Sequence, residues 1–122
     1  MSKVVKITTD NKISIIDLDL NNIESIWKEL GGFMETVRTQ WMRRYFIEPV
    51  IMLCDEEGHI KNLLINRVAS WRYGAAYHGN MIAGAVLLVS EKGEDLIGLE
   101  NPESIVENFL EDFEFLERNE DE

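Results

Sequence analysis

Cysteine is nearly absent from this sequence. Cys54 stands alone, so no internal disulfide can form and the chain suits a reducing compartment. Two prolines and eight glycines exclude collagen-like and linker-like chains. Long hydrophobic runs are missing too. The longest, Met81 to Val89, is interrupted by Gly84 and falls far short of the ~20 apolar residues that span a bilayer. Met1-Ser2-Lys3 opens into alternating rather than continuous apolar residues, so no secretory leader and no membrane association are expected. Basic residues are outnumbered, 12 against 23 acidic, which leaves a net charge of -11 and a pI near 4.6. That balance argues against the basic stripe of a duplex nucleic-acid binder.

What is present describes a globular chain. The 122 residues suit one domain, and an apolar content of 45% supplies a core rather than a disordered segment. The charge is unevenly placed. Residues 1–90 hold ten acidic and ten basic side chains, whereas 91–122 hold thirteen acids against Lys92 and Arg118. A neutral body carries an acidic terminal segment.

Hydrophobic spacing supplies the elements. Lys3 to Thr9 and Ile13 to Leu18 read as strands of a hairpin, with Asp10-Asn11 as the turn, since both side chains tolerate a left-handed backbone. Asn21 and Asn22 are N-cap candidates, and Ile23, Ile26, Trp27 and Leu30 form one face of a short helix that Gly31-Gly32 stops. Phe33 to Val37 reads as a strand, and Arg38 to Tyr45 as a loop or extended hairpin connection. Val50 to Cys54 and Ile60 to Ile65 read as strands around the turn Asp55-Glu56-Glu57-Gly58, with Gly58 in the left-handed slot. A short helical turn is expected around Val68 to Tyr73, and Met81 to Val89 reads as a central strand covered on both faces. Gly84 within it signals a bulge or the close approach of another backbone. Asn101-Pro102 starts a helix of roughly four turns whose stripe is Ile105, Val106, Phe109, Leu110, Phe113 and Leu116. The expected fold is α+β: a mostly antiparallel mixed sheet with one short and one longer C-terminal helix packed on it. It spans residues 1–118 as a single domain, and 119–122 form a frayed acidic tail.

Four stretches in order carry a family resemblance. They are Leu30-Gly31-Gly32-Phe33-Met34-Glu35-Thr36-Val37; the turn Cys54 to Gly58 followed by Asn66-Arg67; Met81-Ile82-Ala83-Gly84 leading into Ala85 to Val89; and the closing helix after Gly98-Leu99. Together, over residues 3 to 117, they resemble a family of small phage and mobile-element proteins, the domain of unknown function 3846. The resemblance implies a fold, a phage or prophage setting and hence a host bacterium's cytoplasm; it brings no activity with it. Two segments depart from the family's pattern, Arg38 to Glu48 and Ala69 to Asn80, both richer in aromatics, and the first in arginine.

Catalytic chemistry finds little footing. His59 and His78 lack metal-ligand spacing, and a metal needs three or four converging ligands, so no metal or cofactor is expected. Cys54 and His59 flank a turn, but Asp55, Glu56 and Glu57 add negative potential that disfavours a thiolate. No nucleophile elbow, phosphate-binding glycine loop or zinc-protease motif occurs, and no catalytic residue is assigned. The arginine–aromatic clusters say more. Arg38, Trp41, Arg43, Arg44 and Tyr45 form one; Arg67, Trp71, Arg72, Tyr73 and Tyr77, with His78, form the other. Guanidinium pairs with phosphate and aromatic faces stack on bases, so the mixture suits a nucleotide or a single strand. It equally suits a protein interface, or a core whose arginines balance nearby acids.

Glu103, Glu107, Glu111, Glu114 and Glu117 fall beside the apolar stripe of the last helix and invite comparison with DNA. Five charges over ~21 Å of helix are under half the ~12 that a duplex shows over that length. The leading expectation is a non-enzymatic, phage- or prophage-encoded accessory protein that binds a host or phage protein, such as a host defence or nucleic-acid-processing protein. The alternative is a protein that binds and sequesters a nucleotide or nucleotide signal. Self-association is compatible with either.

Overall fold

The computed structural model describes residues 1–38, 46, 48–73 and 81–119. Along these run β1 (Ser2–Ile7), β2 (Lys12–Leu18), α1 (Ile23–Leu30), β3 (Met34–Val37) and β4 (Ile51–Asp55). Then come α2 (Arg67–Tyr73), β5 (Val86–Lys92), β6 (Asp95–Ile97), α3 (Pro102–Asp112) and β7 (Glu117–Arg118). The strands form one mixed sheet in the order β3-β4-β5-β1-β2-β7, with β6 paired to β5 off that path. Its pairings are antiparallel except β2 with β7, where Lys12 and Ile13 run parallel to Glu117 and Arg118. The fold is α+β.

Alternation along the strands feeds two cores, because successive side chains point to opposite faces. Val5, Ile7, Ile13, Ile15, Met52, Cys54, Val86 and Leu88 meet α2 and α3 on one face. Val4, Ile16, Leu18, Ile51, Leu53, Leu87 and Val89 meet Ile26 and Leu30 of α1 on the other. Continuous apolar sequence in β4 and β5 follows from helices on both faces of the sheet.

Local signals held where the chemistry is local. Asn11 turns the first hairpin at φ 63°, and the Asn22 side chain accepts the Glu24 N–H to cap α1. Gly31 ends α1 in the left-handed region at φ 84°. The Asn101 side chain accepts the Ser104 N–H at 3.4 Å ahead of Pro102.

Other expectations are corrected. Residues 60–65 form no strand, although Ile65 makes one bridge to Ala83. Hydrogen bonds from Lys61 N to Glu57 O, Asn62 N to His59 O and Leu63 N to Gly58 O wind the chain into turns, with Asn62 at φ 56°. Gly58 is not left-handed; its missing side chain makes room for the Ala83 carbonyl, 2.8 Å from where a Cβ would sit. Gly84, at φ 89°, delays the central strand until Val86. The expected short helical turn is a complete third helix, α2. The last helix is shorter than expected: Phe113 caps it in extended conformation, and Leu116 turns back into the core before Glu117 joins the sheet.

Asn66 fixes where α2 begins. It is fully buried; its Nδ2 donates to Ile7 O and Gly84 O, each at 3.0 Å, and its Oδ1 accepts the Ala69 N–H at 3.0 Å. One side chain thus ties β1, the approach to β5 and the first turn of α2 together.

Candidate functional site

The second arginine–aromatic segment reaches the end of the first through a buried residue, Arg72, and the partly buried Phe46. Arg72, at the end of α2, is 3% exposed. Its guanidinium lies 4.6 Å from the centre of the Phe109 ring, 5.4 Å from Phe113 and 5.8 Å from Phe46. Its Nη2 donates to Asp112 Oδ2 at 2.8 Å and to Asn108 Oδ1 at 3.3 Å. Phe46 itself stacks on Phe109 with centroids 5.7 Å apart. The Arg72 cation therefore joins α2, α3 and the end of the first segment from inside the fold.

Arg38, just past β3, straddles the Glu91 carboxylate, with Nε 3.0 Å and 2.9 Å from its two oxygens. Those hydrogen bonds, ahead of the opposing cost of burial, hold its pKa above the ordinary arginine value. Trp41, Arg43, Arg44, Tyr45 and Tyr77, and His78 with them, lie outside the described residues.

Arg67 and Trp71 are the outward members. They sit one turn apart on the exposed side of α2, whose Val68, Ala69 and Ser70 are buried. The Arg67 guanidinium covers the Phe115 ring at 4.5 Å, and Trp71 is 72% exposed. Leu64, exposed at 73%, and the half-exposed Ile65 stand just before the helix, on the wound segment that replaced the expected strand. Phe115 and Leu64 were invisible to sequence reasoning. Phe115 lies off the apolar stripe, and Leu64 falls in a stretch that reads as a strand.

The acidic face is more dispersed than its spacing implied. Glu103 is clasped by Arg118 through two bonds of 2.8 Å and 2.9 Å. Glu117 belongs to β7 and pairs with Lys12. Glu107 and Glu111 stand exposed on α3, and Glu114 follows in the turn beyond it. The helix thus holds fewer unneutralised charges than a DNA-like surface requires.

Around Cys54 lies a depression of about 320 Å3, lined also by Glu35, Asp55, Glu56, His59 and Met81. Burial, then the charges of Glu35 and Asp55, push the thiol up to about 11, so it stays protonated and weakly nucleophilic at neutral pH. The His59 Nε2–H points at the Met81 carbonyl. Asp55 is occupied by Lys61 at 2.8 Å. Among the described residues no three His, Cys, Asp or Glu side chains are grouped to hold a metal, and no helix is long and apolar enough to cross a membrane.

A second feature had no signal in the sequence. The Glu48 carboxylate accepts the N–H groups of Glu100 and Asn101, both at 2.9 Å, just before α3. Pro49 O accepts from Ser90 Oγ at 2.7 Å. The return from the arginine-rich connection is therefore pinned to the end of β5 and to the start of α3.

This architecture, a mostly antiparallel mixed sheet sandwiched between one helix and two, sets Arg67 and Trp71 on the exposed side of α2. The family model described as a domain of unknown function (DUF3846) matches residues 1–114, and the chain belongs to that family. No curated protein and no solved structure matches it.

Proposed function

We propose that this is a non-enzymatic accessory protein of a phage, prophage or other mobile element, acting in the bacterial cytoplasm by binding another protein through the outward face of α2. A host defence or nucleic-acid-processing protein is the kind of partner such a setting supplies. One observation carries the reading: Trp71 is 72% exposed on a helix whose opposite side is locked into the core. A folded surface seldom leaves this much of a tryptophan in water. Burying its remaining ~150 Å2 in a partner is worth roughly 3–4 kcal/mol, the size of an interface hot spot. Arg67 and Phe115 beside it are the residue types that accompany such anchors.

The nucleotide-sequestering alternative draws less support. Of its arginines, Arg72 is sunk beneath phenylalanine rings and Arg38 is held by Glu91. Three surface pockets are lined by carboxylates, Glu35 and Asp55 in one and Glu48 with Glu100 in the other two, which repel phosphate.

Capture from bacterial lysate on the immobilised protein tests the main reading. The wild type is expected to retain a band that Trp71→Ala loses, while Ile60→Ala, altered at another exposed apolar residue, keeps it. Identical retention by wild type and a normally folded Trp71→Ala would overturn the proposal.

A further inference from the structure

The chemistry of what docks on α2 can be taken further, on the reading that α2 is a docking face. α2 and α3 lie on the same side of the sheet and run in opposite senses. Arg67, at the start of α2, reaches Phe115 beyond the end of α3, whereas Arg72, at the end of α2, reaches back to Asn108 and Asp112. Arg72, Asn108 and Asp112 therefore mark the sides on which the helices face each other.

One residue is about 100° of helical rotation. In an antiparallel pair, stepping back one residue from the facing positions turns outward on both helices at once. Burial agrees: Trp71, Glu107 and Glu111 are exposed, while Ala69 and Phe109 are buried. Trp71 and Glu111 accordingly both turn to the outer surface of the pair. Glu107 lies one turn along α3 from Glu111, and Glu114 lies the other way, beside Phe115. Glu103 and Asp112 are engaged by Arg118 and Arg72, but Glu107, Glu111 and Glu114 form no ion pair among the described residues.

We propose that the docking partner is a lysine- or arginine-bearing amphipathic helix of another protein. Its apolar stripe covers Trp71 and the Arg67–Phe115 pair, and its flanking cations reach Glu107, Glu111 and Glu114. An exposed indole on the same outer surface as three exposed carboxylates without an ion pair among the described residues is complementary to that pattern. A second copy would bring the same carboxylates against themselves on a chain of net charge -11, and an anionic lipid surface would meet the same repulsion.

The test uses the intact protein and two synthetic amphipathic helices with identical leucine faces, one with lysine and one with glutamate on the polar side, in calorimetric titrations. The lysine helix is expected to bind and the glutamate helix not. Each rim pair contributes about a factor of two, so Glu107→Gln/Glu111→Gln/Glu114→Gln weakens binding roughly eightfold at low salt. Trp71→Ala abolishes it. A charge-matched control, Glu24→Gln/Glu94→Gln/Asp95→Asn, removes the same charge away from the α2–α3 face and changes affinity less than twofold. Equal losses in the two triple variants mean attraction to net charge alone and overturn the inference. Trp71-dependent binding of both helices overturns the cationic partner while leaving α2 as the docking face. Absence of Trp71-dependent binding of the lysine helix overturns the inference as well, whereas lysate capture decides the α2 reading separately.

Discussion

Replacing Arg72 separates what its charge contributes from what its hydrocarbon stem contributes. Arg72→Met keeps a long flexible chain among Phe46, Phe109 and Phe113 and removes the guanidinium. The loss comprises the hydrogen bonds to Asp112 and Asn108 and the cation–π contacts. It is offset by no longer burying a cation, and Asp112, 38% exposed, is rehydrated. The net is about 2 kcal/mol. Arg72→Ala also strips two buried methylenes, Cγ and Cδ, at ~0.8 kcal/mol each, for a total of about 4 kcal/mol. Asp112→Asn leaves the buried cation without its carboxylate and costs about 3 kcal/mol, the low end for broken buried pairs because Asp112 is partly solvated. The double variant Arg72→Met/Asp112→Asn has no stranded charge and should cost only about 2 kcal/mol, well short of the sum of its parts. Urea unfolding reads these differences as midpoint shifts, and each kcal/mol moves the thermal midpoint by about 3–4 °C. Additive losses in the double variant, or equal losses for Met and Ala, would refute the account of Arg72 as a buried cation clamped between two helices.

Asn66→Ala strands two carbonyls and an N–H and should lower stability by about 3 kcal/mol, seen as a drop of roughly 10 °C in the melting temperature; a drop under ~3 °C would contradict its role as the tie between β1, β5 and α2. Burial pushes the Asp55 carboxyl up, but its bonds to Lys61 and to the Glu57 N–H outweigh that and hold it below the ordinary carboxylate value. Its stabilising contribution is therefore complete above the unfolded value of ~4 and is lost as pH falls through the lower folded one. Lys61→Met leaves burial less opposed, so acid unfolding followed by circular dichroism should begin at higher pH than in the wild type, and an unmoved acid limb would refute the pairing.

Legibility in the sequence followed the range of the interactions. The first hairpin, α1 and the start of α3 depend on neighbours within a few residues, and Asn11, Asn22, Gly31 and Asn101-Pro102 announced them. The wound segment 56–65 was misread because Ile60 to Ile65 carries strand-like residues, while the deciding contact, Ala83 against Gly58, is remote in sequence. β7 has only Glu117 and Arg118, and nothing local marks them as a strand; the pairing belongs to Lys12 and Ile13. The site divides the same way. Residue chemistry pointed to Arg67, Trp71 and Arg72 alike, yet burial separates them: helical rotation turns the first two to water and the third between two helices. Phe115 joins the site only through the turn that ends α3.

The parallel pairing of β2 with β7 also bears on how the chain is made. Val5, Ile7, Ile13 and Ile15, which begin one sheet face, are made early, but α3, which covers it, and β7, which borders it, come far later in the sequence. About a hundred residues separate β2 from β7, which is ~5–20 s of synthesis at the usual elongation rates. During that interval the growing chain presents an uncovered apolar sheet face and an open edge at β2. Folding of this face is therefore gated by synthesis of α3, and a ribosome stalled before α3 displays a sticky half-sheet rather than a smaller stable protein.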